Sequence, residues 1–141
     1  MAKFPEPLEG TVFHEDKHVY ACLAFHPSKM GHTIVAWKED VEDLNDLINP
    51  VDYGHLMNVV FMVRKALMLY YNVPKVYLAY LDEFRHVHWH LFPRKEGDET
   101  GFSFMDKPHG ELAGTDFSPT VDALRSLMEV QLETSTNMGS H

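Results

Sequence analysis

Between Arg85 and Arg94 the chain alternates histidine with large apolar residues, in the order His86-Val87-His88-Trp89-His90-Leu91. Strict alternation is the pattern of a β-strand with two unlike faces, because successive strand side chains point to opposite sides. Val87, Trp89 and Leu91 therefore belong to a core, and His86, His88 and His90 to a face that carries chemistry. Next-but-one residues on a strand are roughly 6.6 Å apart, so the spacing predicts three imidazoles aimed at one small group without touching one another. A solvated strand face needs no histidine. A metal site is the more serious rival, since neutral imidazole is the commonest metal ligand, but such a site normally recruits a carboxylate or another distant ligand.

The rest of the chain is built to support one such site. Its 141 residues, 45% hydrophobic and 12% aromatic, suit a single domain with a substantial core. The formal charge of −9 argues against nonspecific binding to nucleic acid or anionic membrane, both of which need a basic surface. Any anionic substrate must be captured locally. One cysteine, Cys22, leaves no intrachain disulfide and fits a reducing, cytoplasmic setting. No stretch reaches the roughly 20 apolar residues of a membrane span, and no apolar run follows a basic start, so the protein reads as soluble and not exported.

Phe4-Pro5-Glu6-Pro7 is held extended by its prolines. Thr11–His14 and His18–Phe25 read as a hairpin around Glu15-Asp16-Lys17, and His32–Trp37 as the next strand after Pro27–Gly31. The acidic segment 39–47 predicts a short helix stopped at Asn49-Pro50. A long helix is expected from Val51 to Tyr71, with Val59, Val60, Val63, Leu67 and Tyr70 along the stripe facing the sheet. Leu56, Phe61, Met62, Met68 and Leu69 fall partly outside that stripe, so something further must bury them. Pro74–Leu81 is a strand expected to form a tight hairpin with the histidine strand. Residues 95–118 read as a surface loop able to close over the site, 119–133 as a last helix, and 134–141 as a frayed tail.

The row His86-x-His88-x-His90, with apolar residues between, matches the signature of the histidine triad (HIT) superfamily. Cys22-Leu23-Ala24-Phe25-His26 leading to Gly31-His32-Thr33-Ile34-Val35-Ala36 resembles a second motif of that family. Together the resemblance runs from about Val12 to Arg94. It implies an α+β fold, an antiparallel sheet of about five strands with one long and one or two shorter helices, over a single domain. It also implies an enzyme acting on the α-phosphate of a small nucleotide without metal or other cofactor. In that chemistry His88 is the nucleophile and forms a nucleotidyl-histidine that water hydrolyses, with its other ring nitrogen held by a carbonyl of the same strand. His90 then contacts the phosphoryl oxygens or leaving atom, and His86 and His32 support the constellation. Charge on the phosphoryl oxygens would be met by imidazolium, backbone N–H groups, Arg85 or Arg94.

Many relatives pair as homodimers through their long helix, which would bury the surplus apolar side chains of residues 51–71. Further candidate substrate contacts are His26, Ser28, Asp82, Glu83 and Arg85, the last sharing by alternation the face of Val87 and Trp89. Here the chain departs from the family. Pro27 and Ser28 stand where relatives carry an acid or amide for the ribose, and Asp82-Glu83-Phe84 where they carry Gly-Gln-Ser/Thr. The two carboxylates suit a basic leaving group. With only Cys22 in place of a Cys-x-x-Cys, no structural zinc is expected. Two alternatives stay open, a nucleotide-binding regulatory protein with little catalysis and a metal-dependent hydrolase using the triad as ligands.

Overall fold

In the computed structural model the described residues are 7–24, 30–41, 43–47, 49–82, 86–105 and 116–139. They form five strands, β1 (Val12–Glu15), β2 (Val19–Leu23), β3 (Thr33–Trp37), β4 (Lys75–Tyr80) and β5 (His88–Arg94), and three α-helices, α1 (Pro50–Tyr71), α2 (Phe102–Met105) and α3 (Ser118–Gly139). The strands make one antiparallel sheet in the order β1-β2-β3-β5-β4. The fold is α+β, as expected.

The two faces of β5 differ as the alternation requires. Val87 and Leu91 are fully buried and Trp89 packs beside them, in a core shared with Val35, Trp37, Val63 and Leu67. A second apolar patch, Cys22, Ala24, Ile34 and Ala36 with Val12 and Tyr20, belongs to the histidine face. Cross-strand register shows why: Tyr20 pairs with Ala36 and Ala36 with His88, while Cys22 pairs with Ile34 and Ile34 with His90. Side chains in one cross-strand row share a face.

Helix α1 begins at Pro50, whose missing N–H is harmless in the first turn. The Asn49 side chain accepts from the Val51 N–H at 2.8 Å, and Asn72 ends the helix in the left-handed region at φ 52°. The expected helix over 39–47 is only a 3-10 turn, Leu44–Asp46. Asp43 caps it by accepting from the Asn45 N–H, and the Leu44 carbonyl accepts from the Tyr53 hydroxyl on α1. These local bonds compete with helix propagation.

The buried stripe of α1 is wider than expected. Leu56 and Met62 are buried within the chain itself, whereas Tyr70 is partly exposed and its hydroxyl meets Thr120. Helix α3 accounts for part of the difference. It packs on α1 and β1 through Val121, Leu124 and Met128, at spacings of three and four, and Gln131 Nε2 donates to the Met62 carbonyl at 2.8 Å. Continuing to Gly139, it overruns the predicted end at 133.

The sheet edges are treated differently. At β1 the register shifts between Val12 and His14, a β-bulge, and Arg125 Nη2 on α3 donates to the Val12 carbonyl at 3.0 Å. The other edge is β4. Its last pair with β5 is Tyr80 with Trp89, so the connection between them is longer than a tight hairpin turn.

Candidate active site

His88 heads β5, fully buried, and pairs across to the small Ala36 of β3. The three rings do meet, contrary to the expectation from backbone spacing. Centroids of His86 and His88 are 5.0 Å apart with planes 24° from parallel, and those of His88 and His90 are 4.9 Å apart at 73°. Side chains lean along the strand, so rings approach more closely than the Cα atoms that carry them.

His88 Nδ1 lies 2.9 Å from the His86 carbonyl. A carbonyl only accepts, so Nδ1 carries the proton and the lone pair of the ring resides on Nε2. This is the tautomer in which Nε2 is nucleophilic without removal of a proton.

His32 reaches the triad from the start of β3. Gly31 before it has φ +82°, and a Cβ there would stand 2.7 Å from the Tyr71 ring and 2.9 Å from Pro93 Cγ. Only glycine fits both the left-handed backbone and that space. The Gly31 carbonyl is taken by the Thr33 hydroxyl at 2.9 Å, while the His32 ring turns to the site. It stacks on Phe92 at 4.3 Å, and its Nε2 is 2.9 Å from His90 Nδ1.

Burial sets the protonation of the group. Desolvation, followed by the fields of neighbouring histidines, pulls His32 down to about 3 and His90 to about 4. His86 is pulled to about 4 by burial and by His88, with Asp40 opposing. All three are neutral at pH 7. Burial thus favours neutral N–H groups over imidazolium at His32, His86 and His90.

Around the histidines, Tyr20, Cys22, Ala24, Ile34 and Ala36 give an apolar surface on the same face. Desolvation pushes the Cys22 thiol up to about 12, so it serves as packing. Tyr20 was not among the residues singled out from sequence, although the parity of β2 carries the signal: Tyr20 and Cys22 alternate with Val19, Ala21 and Leu23, which face the other core.

Other expected residues are not gathered here. Asp82 is exposed, and its carboxylate acts on the Tyr80 hydroxyl, which burial first and then Asp82 hold above the usual phenol range. The Tyr80 ring lies 5.2 Å from Trp89, on the side of β5 away from the histidines. Arg94 donates to the Asp98 and Glu99 carbonyls and so orders its own loop. That loop leads into α2, where Phe104 packs edge-on against Tyr77 at 5.4 Å. His26, Ser28, Glu83 and Arg85 lie outside the described residues. Among the described residues no group of three or more histidine, cysteine or carboxylate side chains is arranged to hold a metal ion. No described helix is long and apolar enough to cross a membrane.

This geometry can be compared with that of known proteins. The HIT domain profile matches residues 7–97. The chain belongs to the HIT domain family. A HIT-like protein of Methanocaldococcus jannaschii is 30% identical to this HIT protein over 126 residues, spanning 84% of this chain and 91% of the other. A hypothetical histidine triad nucleotide-binding protein from Sulfolobus tokodaii superposes with a TM-score of 0.71 at 24% identity, over 86% of this chain and 85% of that one. Diadenosine triphosphate hydrolase of Plasmodium falciparum, in complex with cyclomarin A, superposes with a TM-score of 0.63 at 19% identity, over 90% and 82% of the two chains. These superpositions establish a shared fold.

Proposed function

We propose that this HIT protein is a metal-independent hydrolase or nucleotidyl transferase acting on the α-phosphate of a nucleotide, through a covalent intermediate on His88. The observation that carries the reading is the 2.9 Å bond from His88 Nδ1 to the His86 carbonyl, which leaves the lone pair on Nε2. In the first step Nε2 forms an N–P bond as the bond from phosphorus to the leaving group breaks, and the leaving group takes a proton from solvent. Water then attacks phosphorus, the P–N bond breaks, the electron pair returns to Nε2, and the proton that water loses goes back to solvent. His90, backed by His32 at 2.9 Å, is the proposed donor to the phosphoryl oxygens or leaving atom. The nucleotide-binding description of the Sulfolobus tokodaii relative and the hydrolase description of the Plasmodium falciparum one support a nucleotide as the ligand.

Substrate contacts at His26, Ser28, Asp82, Glu83 and Arg85 remain proposals from the sequence, with Ser28, Asp82 and Glu83 at positions where the chain departs from its relatives. A binding protein with little turnover is the second reading, favoured by Pro27-Ser28 where relatives carry a ribose-binding acid or amide. A cytoplasmic setting fits the single buried thiol of Cys22. A homodimer through α1 fits the outward side chains Phe61 and Leu69, which are 65% and 58% exposed.

The test is a panel of adenosine and guanosine phosphoramidates and dinucleoside polyphosphates, read with and without a chelator. Turnover is expected to survive chelation. His88→Ala is expected to abolish it while nucleotide binding persists, and His90→Ala to lower it by the roughly 10²–10⁴-fold of an acid–base group. An α-labelled substrate quenched in alkali should leave label on the wild-type protein alone. Lasting loss on chelation, restored by zinc, would favour metal chemistry. Tight binding with no turnover on any substrate would favour the second reading.

A further inference from the structure

We propose that the groove between β1 and α3 is a second ligand site, on the face of the sheet opposite the histidine triad, and that it takes a small primary amine with an apolar chain. The inference goes beyond the reaction proposed at His88 and does not depend on it.

Two local features of the chain build the groove. On α3, Arg125, Met128, Glu129 and Leu132 recur at spacings of three and four, so they share the helix face that lies over β1. On β1 the bulge between Val12 and His14 brings the His14 ring to the helix side, where alternation from Phe13 would have sent it to the other. Between the two elements lies a cavity of about 420 Å³. Small-molecule sites fall in the range of roughly 300–1,000 Å³.

His14 supplies the polar end. Its side chain is only 8% exposed, and its Nε2, sealed from solvent and without a hydrogen bond, lies 3.5 Å from Asp16 Oδ2. A carboxylate only accepts, so the neutral ring keeps its proton on Nε2 and its lone pair on Nδ1. Nδ1 is not sealed, and no described residue donates to it. Since His14 lines the groove, Nδ1 is the acceptor its ring has to offer there.

Charge selects the partner. The Arg125 guanidinium is held by the Val12 carbonyl at 3.0 Å and by Asp122 at 3.2 Å, and Lys38 is paired with Glu15. Glu129 on the rim has no ion pair among the described residues, and Asp16 stands behind His14. The charges left uncompensated are therefore negative. A primary ammonium has three N–H donors and no acceptor, which suits His14 Nδ1 and the Glu129 carboxylate together. Its chain would lie on Val12 and on Leu132, which is 41% exposed. An anion would meet Glu129 and no uncommitted cation among the lining residues.

The experiment titrates n-hexylamine into the full chain at neutral pH, with 1-hexanol as the uncharged control, and follows backbone amides and histidine ring nitrogens by ¹⁵N NMR. Saturable shifts are expected at His14, Glu129 and Leu132, with movement of the His14 Nδ1 signal and none of the His88 ring signals. Hexanol should bind roughly 10-fold more weakly, because the hydrogen bonds lose their charge. His14→Phe keeps a flat ring without the acceptor and should weaken hexylamine by about 10-fold. Glu129→Gln, at an exposed position, should weaken it by roughly 2- to 5-fold. Glu129→Lys sets an ammonium in the groove and should abolish binding, which keeps the test decisive should His14→Phe fail to fold. No saturable shift in the groove, equal affinity for hexanol, or unchanged affinity in Glu129→Lys overturns the inference. Shifts confined to the triad face overturn it too, by placing the amine in the site already described. The signal needs no turnover, so its outcome is separate from that of the reaction at His88.

Discussion

His32 Nε2 and His90 Nδ1 face each other at 2.9 Å across two neighbouring strands, and two neutral imidazoles in such a bond share one proton between two nitrogens. The partner that donates decides the rest. If His32 donates, the far nitrogen of His90 bears a proton. If His90 donates, that far nitrogen bears the lone pair. A residue that acts on a leaving group and later on water is well served by this arrangement, because the two half-reactions need opposite forms.

His32→Ala and His90→Ala should therefore not be independent. A double-mutant cycle on kcat/KM is expected to give a coupling of about 0.5–3 kcal/mol, the range for residues in one hydrogen-bonded network. Additive losses would mean that His32 serves the fold and not the reaction.

Stability should decline in mild acid. His32, His86 and His90 have folded values of about 3, 4 and 4, all below the ordinary imidazole value near 6.5. The unfolded chain binds their protons first as pH falls. The full contribution is present above about pH 6.5 and is lost progressively toward pH 4, and for His32 toward pH 3. Urea midpoints across this window should fall steadily, and His32→Asn should flatten the slope. A flat wild-type profile from pH 7 to 4 would contradict the burial of neutral histidines.

Gly31→Ala places a methyl 2.7 Å from the Tyr71 ring on a backbone at φ +82°. The conformation alone costs about 1–3 kcal/mol in a residue other than glycine. The thermal midpoint should drop, and turnover with it, since His32 is the next residue. A variant as stable and active as wild type would mean that the turn before β3 relaxes freely.

Phe61→Glu on the outward face of α1 should leave the melting of the monomer unchanged and convert a dimer into a monomer at micromolar concentration. Light scattering that already gives a monomer for the wild type would remove the proposed pairing.

Much of this was legible because one period-two pattern fixes two faces at once. From His86 to Leu91 the parity alone assigned Val87 and Leu91 to the core and the histidines to the other side. The helix expected over Val51–Tyr71 is α1, Pro50–Tyr71, which differs from it by one residue at the start. Position across strands was not. That His32 meets His90, and Tyr20 meets His86, depends on strand order and register, which single-strand periodicity does not contain. The surplus apolar side chains of α1 were visible, but α3 covers part of that surface by a contact remote in sequence.

Another cluster had no sequence signal at all. The bulge in β1 turns both Phe13 and His14 toward the helices, and His14 and His55 then bracket one oxygen of Asp16, at 3.5 and 2.8 Å. Burial raises that carboxyl, but the His18 and Val19 N–H groups and His55 outweigh it and bring it below the ordinary carboxylate value. A bulge is one extra residue, and a sequence does not announce it.

The unlike edges of the sheet set how far it can grow. Arg125 occupies the Val12 carbonyl and the bulge twists β1 out of line, so a strand from another molecule finds no regular template there. At β4 the outer backbone faces away from β5, with Lys75 at its start as a charged deterrent. A sheet blocked at one end has no head-to-tail mode of stacking strands. Joining two copies at their β4 edges would use up both templates and leave, among the described residues, no regular edge for a third.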